Sequence, residues 1–570
     1  MELNTNQRDA IHTKGHSIVV ACPGSGKTRV LVERAAILAK ENPTDHIVVV
    51  TFTRQAAGEL RRRLEEKVAS LAYLRVATFH SLALQQLLAI SNTTICGPSQ
   101  QLALMRRAAS RWLPESKFVE FRQAVDAHTS GALSALNNSD FQKTYDEYLE
   151  LLAEHAATDF GQGVLMAAEG METGALAPLL CDHLLVDEVQ DIDKTQIRWI
   201  RAHTTRGATL TVVGDDDQSV YAFRNAQGHA GMQHLQQAHQ ASLVTLSVNY
   251  RSHSEILGMA KKLIDKNIRR LPKDLVSAKG VGGAVLFHQY FWTDEEEADA
   301  LAVHSAKATE PMAIIARSNY KLDLIAASLK RHKVEFSRPG RSGFWEAEEP
   351  ALFVALLESN SLSDPLTLSA VATRAGSPSP KAFKRTTAFS ELQRCLADNP
   401  FGGNPGSRIR GLSGWLAANM MGIPKKRREP SLMILDLCRK YLEDMEGSCA
   451  FRIQSALRPK STKESRITLL TMHGAKGLEF PCVWIAGVQD GTVPSRRSDD
   501  IEEERRLFYV AMTRAEKTLF LSFAWNQVIT RQETTFLRKM APSQFLTIDL
   551  GLPVVSRHDA HARANPGYLI

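Results

Sequence analysis

Residues 18–30 read IVVACPGSGKTRV. A run of β-branched residues leads into a glycine-containing turn, then to Lys27 and Thr28, then to the apolar helical pattern of Val30, Leu31 and Ala35. A strand that turns into a helix through glycines is the frame of a phosphate-binding loop. Ala21, Cys22, Pro23, Gly24, Ser25, Gly26, Lys27 and Thr28 fill that frame, with Ala21 where the first glycine usually stands. Gly24 and Gly26 allow backbone conformations and a close approach that side chains would block. Successive N–H groups at the start of the following helix then point at phosphate. Lys27 supplies a charge for the β- and γ-phosphates, and Thr28 a hydroxyl for Mg²⁺. The expected ligand is a nucleoside triphosphate.

Outward from the loop, strand-like and helix-like patterns alternate. IVVA (18–21) precedes a helix near 27–40, HIVVVTF (46–52) a charged amphipathic helix at 54–68, and LRVATF (74–79) a helix at 81–88. This rhythm predicts a parallel sheet with crossover helices. Residues 98–170 read as helices only, as an insertion between strands would. Strands resume with HLLVDE (183–188) and ATLTVVGD (208–215). After Asn249 a second α/β rhythm begins, with VLFHQYF (285–291), an acidic helix at 294–306, MAIIARS (312–318) and a helix at 321–332. Residues 361–458 read as helical again, broken by AGSPSPK (375–381) and NPFGGNPGS (399–407). RITLLTM (466–472), CVWIAGV (482–488), a helix at 501–514 and TLFLSFA (518–524) complete this half, and a loose tail is expected from about 551. The fold class expected is α/β, in two parallel-sheet halves that each carry a mainly helical insertion.

A chain of 570 residues exceeds one hydrophobic core, so several domains are expected. Its 44% apolar and 23% charged residues are ordinary for a globular protein and exclude a disordered class. Sixty-nine basic residues against 62 acidic give a net charge of +7, compatible with a polyanionic partner. The cysteines at 22, 96, 181, 395, 438, 449 and 482 are scattered without a CxxC pair, which argues against a zinc site or a disulfide framework. The polar opening MELNTNQRDAIHTKGH is no signal peptide, and no apolar run is long enough to span a bilayer. No membrane association is expected, and a reducing cytoplasm is the expected location.

A phosphate loop needs a partner that holds the metal and activates water. LLVDE (184–188) ends a β-run on two carboxylates at the edge where parallel sheets bind ligands. Asp187 is the expected Mg²⁺ carboxylate and Glu188 the expected general base.

ACPGSGKT, VTFTRQAAGEL, TFHSLA, LLVDEVQD, VVGDDDQSVYAFR, VNYRS, TMHGAKGLEFP and EEERRLFYVAMTRA follow in that order. Together they resemble the ordered motifs of superfamily 1 helicases of the UvrD/Rep/PcrA type, from Leu3 to about Leu546. The resemblance implies two RecA-like motor domains: 1A from 1–91 and 169–249, and 2A from 250–360 and 459–550. The helical insertions are then 1B at 92–168 and 2B at 361–458, with the tail at 551–570. It implies ATP and Mg²⁺ as ligands, single-stranded DNA and single-strand/duplex junctions as partners, and 3′ to 5′ movement. By the same resemblance Gln7 reads adenine, Arg29 lies near the nucleotide, and Gln218 senses the γ-phosphate. Tyr250 stacks on adenine, Glu479 contacts the ribose, and Arg251 and Arg514 reach the γ-phosphate from the second motor, where a permanently charged fork suits the task.

Phe52, Thr78, Phe79, His80, Tyr221, Phe223, Arg224, Arg317, Asn319, Thr471 and His473 fall in segments that line the strand channel of the family. Flat rings for bases and donors for phosphates are what a single-strand track requires. Two departures stand out. YAFR (221–224) carries Phe223 where the family has Trp, giving less stacking area and no indole N–H. The TRGIG-like segment of the second insertion reads TRAGSP (373–378), losing a tight Gly-x-Gly turn. Lys425, Lys426, Arg427 and Arg428 read equally as substitute phosphate contacts or as a solvated basic loop.

These departures keep a second role open: a nucleotide-gated regulatory or translocase subunit of a DNA repair or phage-defence complex, acting with a nuclease or repair partner. An RNA helicase of the same superfamily fits the motifs less well, and no nuclease domain is expected within this chain. Cys22, inside the loop, is expected to make ATP hydrolysis sensitive to thiol reagents.

Overall fold

The computed structural model describes the chain apart from residues 1, 69, 340–344, 346–347, 360, 398–404, 424, 444, 458–464, 532–533, 558 and 560–570. Most of the tail expected to be loose, and residues 399–404 of the glycine-rich break, lie outside the described residues.

Two compact units are present. The first comprises 1–82, 178–339 and 462–570, and the second 83–177 and 340–461. The first unit holds two large sheets. One is built from β1 (Ser17–Ala21), β2 (Ile47–Thr51), β3 (Leu74–Thr78), β4 (His183–Val186), β5 (Thr209–Gly214) and β6 (Ser242–Leu246), in the spatial order β3-β2-β4-β5-β1-β6. Every pairing is parallel, as between Val50 and Val186 or Val20 and Gly214. SIVVA and IVVVT are buried at every position, which is what sheets covered on both faces demand of their central strands. The carboxyl ends of β1, β4 and β5 therefore lie side by side at one edge. β6 is missing from the sequence reading because SLVTL is an edge strand whose exposure runs from open to buried without a clean period.

The other sheet comprises β7 (Ala284–Thr293), β8 (Met312–Ala316), β9 (Phe336–Ser337), β10 (Ile467–Thr471), β11 (Phe480–Ala486) and β12 (Ala515–Arg531), ordered β7-β12-β11-β8-β10-β9 and all parallel. The strand expected at 518–524 extends to Arg531, and β13 (Thr534–Lys539) returns antiparallel to it. Polar residues hide this extension in the sequence, yet they are satisfied: Trp525 Nε1 donates to Gln289 O at 3.0 Å and Asn526 Nδ2 to Trp292 O at 2.8 Å. Helix Ile501–Met512 packs on this sheet and buries every residue from Leu507 to Met512.

Among its described residues, the second unit is helical apart from one two-residue parallel pair, Thr94–Ile95 with Ala157–Thr158. Its two stretches share a core: Leu366 joins the cluster of Phe121, Tyr148 and Leu152, and Gln100 Nε2 donates to Asp364 Oδ2 at 2.9 Å. The TRAGSP segment is a helix end. Helix Pro365–Arg374 stops at Ala375, Gly376 takes φ +76°, and Ser377 N–H returns to Ala372 O at 2.9 Å. Arg374 is 6% exposed, donates to Leu416 O at 3.3 and 3.2 Å, and faces Glu349 at 4.0 Å. The basic run from Lys425 forms the first turn of helix Lys425–Glu443, where Arg428 Nε donates to Ile423 O at 3.0 Å.

Candidate functional site

The loop between β1 and helix Lys27–Glu41 takes two left-handed turns, at Gly24 (φ +63°) and Gly26 (φ +83°). A β-carbon on Gly24 would stand 2.7 Å from Arg251 Cβ, and one on Gly26 would stand 3.0 Å from Gln7 Nε2, so both positions need glycine twice over. Lys27, Thr28 and Arg29 follow in the helix's first turn. Gln7 is 2% exposed and held at both ends of its amide: its carbonyl oxygen accepts from Asn4 N–H at 3.0 Å and its NH₂ donates to Ser25 O at 2.9 Å. Asn4 in turn donates to the Tyr250 hydroxyl at 2.8 Å, so the residues matched to adenine reading meet on one side of the loop.

Asp187 and Glu188 follow β4 directly. Glu188 adopts φ +52°, a left-handed conformation that costs a non-glycine residue energy and marks a constrained turn. Its carboxylate lies 3.8 Å from Lys27 Nζ and accepts from Gln190 Nε2. Burial pushes Glu188 up, but Lys27, Lys476, Gln190 and Arg514 outweigh it and hold the carboxylate below its usual range. Asp187 moves the other way, raised by burial and by the charge of Glu188. Two adjacent carboxyls pushed apart in this way suit different tasks. Asp187 and the Thr28 hydroxyl offer the hard oxygen ligands that Mg²⁺ prefers, and a dication would offset the burial of Asp187's charge.

After β5, Asp215 N–H donates to Gln190 Oε1 at 2.9 Å, and Asp215 Oδ2 accepts from Gln218 Nε2 at 2.6 Å. Gln218 Oε1 accepts from Arg514 Nη2 at 3.1 Å. Arg514 is 1% exposed, and its fork also donates to Val510 O at 2.8 Å and Leu478 O at 3.2 Å. Arg251 reaches Glu479 Oε2 at 2.7 Å and Thr513 O at 3.2 Å. Asn249 Nδ2 holds Pro23 O at 2.5 Å, and Tyr250 N–H holds Gly24 O at 2.9 Å. The loop of the first sheet thus meets the segment that carries Arg251, and Gln218 after β5 meets Arg514.

The residues matched to the DNA track divide. Phe52 stacks on Tyr221, with centroids 5.9 Å apart and planes at 9°. Phe223, 66% exposed, stands edge-on to Tyr221 and to His473. Arg224 lies over both Tyr221 and Phe223. Burial, with Arg317 next, pushes His473 down to about 4, so it is a neutral ring. Phe79 lies elsewhere: it is 2% exposed, edge-on to Trp199 in the core. Arg317 forms a two-point pair with Glu504, and Asn319 Oδ1 accepts from Arg338. Thr78 and Thr471 accept from the N–H groups of Ser81 and Gly474, and His80 is half-buried at the start of helix Phe79–Leu88.

Cys22 corrects one expectation. Its side chain is fully buried, and burial, with the charge of Asp215 next, pushes the thiol up to about 12. Neither access nor thiolate is available, so thiol reagents should leave Cys22 unmodified in the native protein. Peptide mapping after iodoacetamide treatment at pH 8, with and without denaturant, checks this: label is expected at Cys22 only after unfolding.

Sequence reasoning also missed residues. Lys476 Nζ pairs with Asp191 at 2.5 Å, donates to Gln218 O at 2.9 Å and lies 4.9 Å from the Tyr221 ring centre. It stands inside the quoted TMHGAKGLEFP, where its charge was the available signal. Lys273 and Arg270, bound to Asp215, Asp216 and Asp217, stand in RRLPKD, which carries no motif. The three aspartates converge as metal ligands would, but the cation among them is the Lys273 ammonium.

Fold and site together define a P-loop NTPase built on two RecA-like motor domains. Residues 3–239 match the UvrD/REP helicase N-terminal domain, and residues 244–367 and 445–526 match the UvrD-like helicase C-terminal domain; the chain belongs to the UvrD-like helicase family. Similar proteins include DNA helicase II of Haemophilus influenzae, 28% identical over 95% of this chain and 86% of the relative. The ATP-dependent DNA helicases PcrA of Staphylococcus aureus and Staphylococcus epidermidis are each 26% identical over the same shares. Among the described residues, no helix is long and apolar enough to cross a membrane.

Proposed function

We propose that this protein is an ATP-dependent DNA helicase that hydrolyses ATP to move 3′ to 5′ along single-stranded DNA and to open duplex ahead of it. The observation that carries the reading is the Arg514–Gln218 contact beside Glu188 and Lys27. It joins groups of two motor domains in one site, so a change at the phosphates alters how the domains meet. Residues 1–91 and 169–249 act as motor 1A and 250–360 and 459–550 as motor 2A, with 92–168 and 361–458 as insertions. MgATP is the substrate. Lys27 and the loop N–H groups bind its phosphates, Thr28 and Asp187 hold Mg²⁺, and Mg²⁺ supplies charge neutralisation at the phosphates. Glu188, kept ionised, takes the proton of the attacking water. Gln218 orients around the γ-phosphate, while Arg251 and Arg514 balance the charge that develops there. Phe52, Tyr221, Phe223 and His473 offer ring faces and edges to bases, and Arg224 a phosphate donor. The described cysteines are all free thiols, which supports a cytoplasmic location.

A second reading, a nucleotide-gated regulatory or translocase subunit working with a nuclease or repair partner, is favoured by Arg374. Its guanidinium is spent on Leu416 O and Glu349 and is unavailable to duplex phosphates. Strand displacement by the purified chain on 3′-tailed and 5′-tailed duplexes separates the readings. Unwinding of the 3′-tailed substrate alone is expected. Unwinding from 5′ tails overturns the polarity, and DNA-stimulated ATP hydrolysis without strand separation moves the assignment to the second reading.

A further inference from the structure

The strongest unassigned feature of the first unit is a buried cation held by three consecutive carboxylates. Lys273 Nζ lies 3.0 Å from Asp215 Oδ1, 2.5 Å from Asp216 Oδ1 and 2.9 Å from Asp217 Oδ2, and all four side chains are sealed from solvent. Arg270 adds a two-point pair to Asp217 at 3.0 and 2.7 Å, and Leu271 N–H donates to Asp216 Oδ2 at 2.6 Å. Burial works against the ammonium, but the three carboxylates outweigh it and raise Lys273 above the ordinary lysine range. Such a cluster is costly to bury and is not needed to join two surfaces, which apolar side chains do as well.

Its consequence lies one bond further on. Asp215 uses Oδ1 for Lys273 and Oδ2 for the Gln218 amide. An ionised carboxylate only accepts hydrogen bonds, so it must take the NH₂ end of Gln218. The oxygen end of that amide is then turned to Arg514 Nη2, a group that only donates. A flipped Gln218 would set its NH₂ against the Arg514 guanidinium, donor against donor. We propose that Lys273 is a positioning residue for ATP hydrolysis, balancing Asp215 so that Gln218 keeps its oxygen toward Arg514. This rests on the proposed roles of Gln218 and Arg514.

A double-mutant cycle on DNA-stimulated ATP hydrolysis tests it. Gln218→Ala alone is expected to lower kcat by about 100-fold, the scale of losing one oriented polar group at a reacting phosphate. Lys273→Met is expected to lower kcat by about 10-fold or more, with KM for ATP within about threefold. In the Lys273→Met background, Gln218→Ala should cost no more than about 10-fold further, so that the double variant is no slower than Gln218→Ala alone, because the orientation of Gln218 is already impaired. A merely structural lysine would give losses that multiply, and multiplying losses overturn the proposal. If Lys273→Met fails to fold, Asp216→Asn/Lys273→Met carries the same cycle. It removes one buried charge of each sign, keeps an acceptor for Leu271 N–H and still leaves Asp215 unbalanced. A Gln218→Ala variant with unchanged kcat would instead overturn the role of Gln218, and with it the basis of the proposal.

Discussion

Lys27→Ala is expected to lower DNA-stimulated ATP hydrolysis by about 10²–10³-fold or more while shifting the melting temperature by no more than a few degrees. The two halves of that expectation have separate causes. Lys27 contributes little to the fold: its charged partner, Glu188, is 3.8 Å away, beyond hydrogen-bond distance, and remains 30% exposed. An ion pair of that kind contributes about 1 kcal/mol or less. Glu188 also keeps Lys476, Gln190 and Arg514 around it, so the variant does not strand a charge. On the proposed role, the phosphates would have no comparable substitute, because Lys27 is the lysine that follows the glycine turn directly. Steady-state hydrolysis with a single-stranded oligonucleotide, together with thermal melting, checks both halves. A normal rate in Lys27→Ala would show that the loop is not the hydrolytic site.

This loop was legible because its chemistry is local: strand, glycine turn, lysine and hydroxyl are contiguous, and Asp187 and Glu188 end a recognisable strand. The order of motifs carried the two motors for the same reason. What stayed hidden depends on partners far away in the chain. Lys273 meets Asp216 across 57 positions and Lys476 meets Asp191 across 285, and neither distance leaves a periodic trace. Burial is equally silent in sequence. Phe79 belongs to a segment expected to face the strand, yet packs on Trp199; Cys22 sits in a loop expected to be reactive, yet is sealed beneath it. The TRAGSP segment shows the converse. The loss of the Gly-x-Gly turn was readable, but that Arg374 turns inward to Leu416 O required the packing of the second unit.

Arg514→Ala is expected to reduce kcat by about 10³-fold or more, the scale on which an arginine finger acts. The guanidinium is held at four points: Val510 O, Leu478 O, Thr513 Oγ1 and Gln218 Oε1. Burial, and then the like charge of Arg251, pushes it down to about 9, so it stays protonated at neutral pH under electrostatic stress. On the proposed role of the two arginines, bound γ-phosphate would relieve that stress for both, and ADP, lacking it, would not. Nucleotides stabilise a protein in proportion to their affinity for its folded state. A non-hydrolysable ATP analogue should therefore raise the melting temperature of the wild type more than ADP does, and Arg514→Ala should lose that difference while keeping the ADP effect. Arg514→Lys should resemble the alanine variant, because a single ammonium cannot hold the two carbonyls and also reach Gln218. An undiminished margin between analogue and ADP in Arg514→Ala would remove Arg514 from the γ-phosphate.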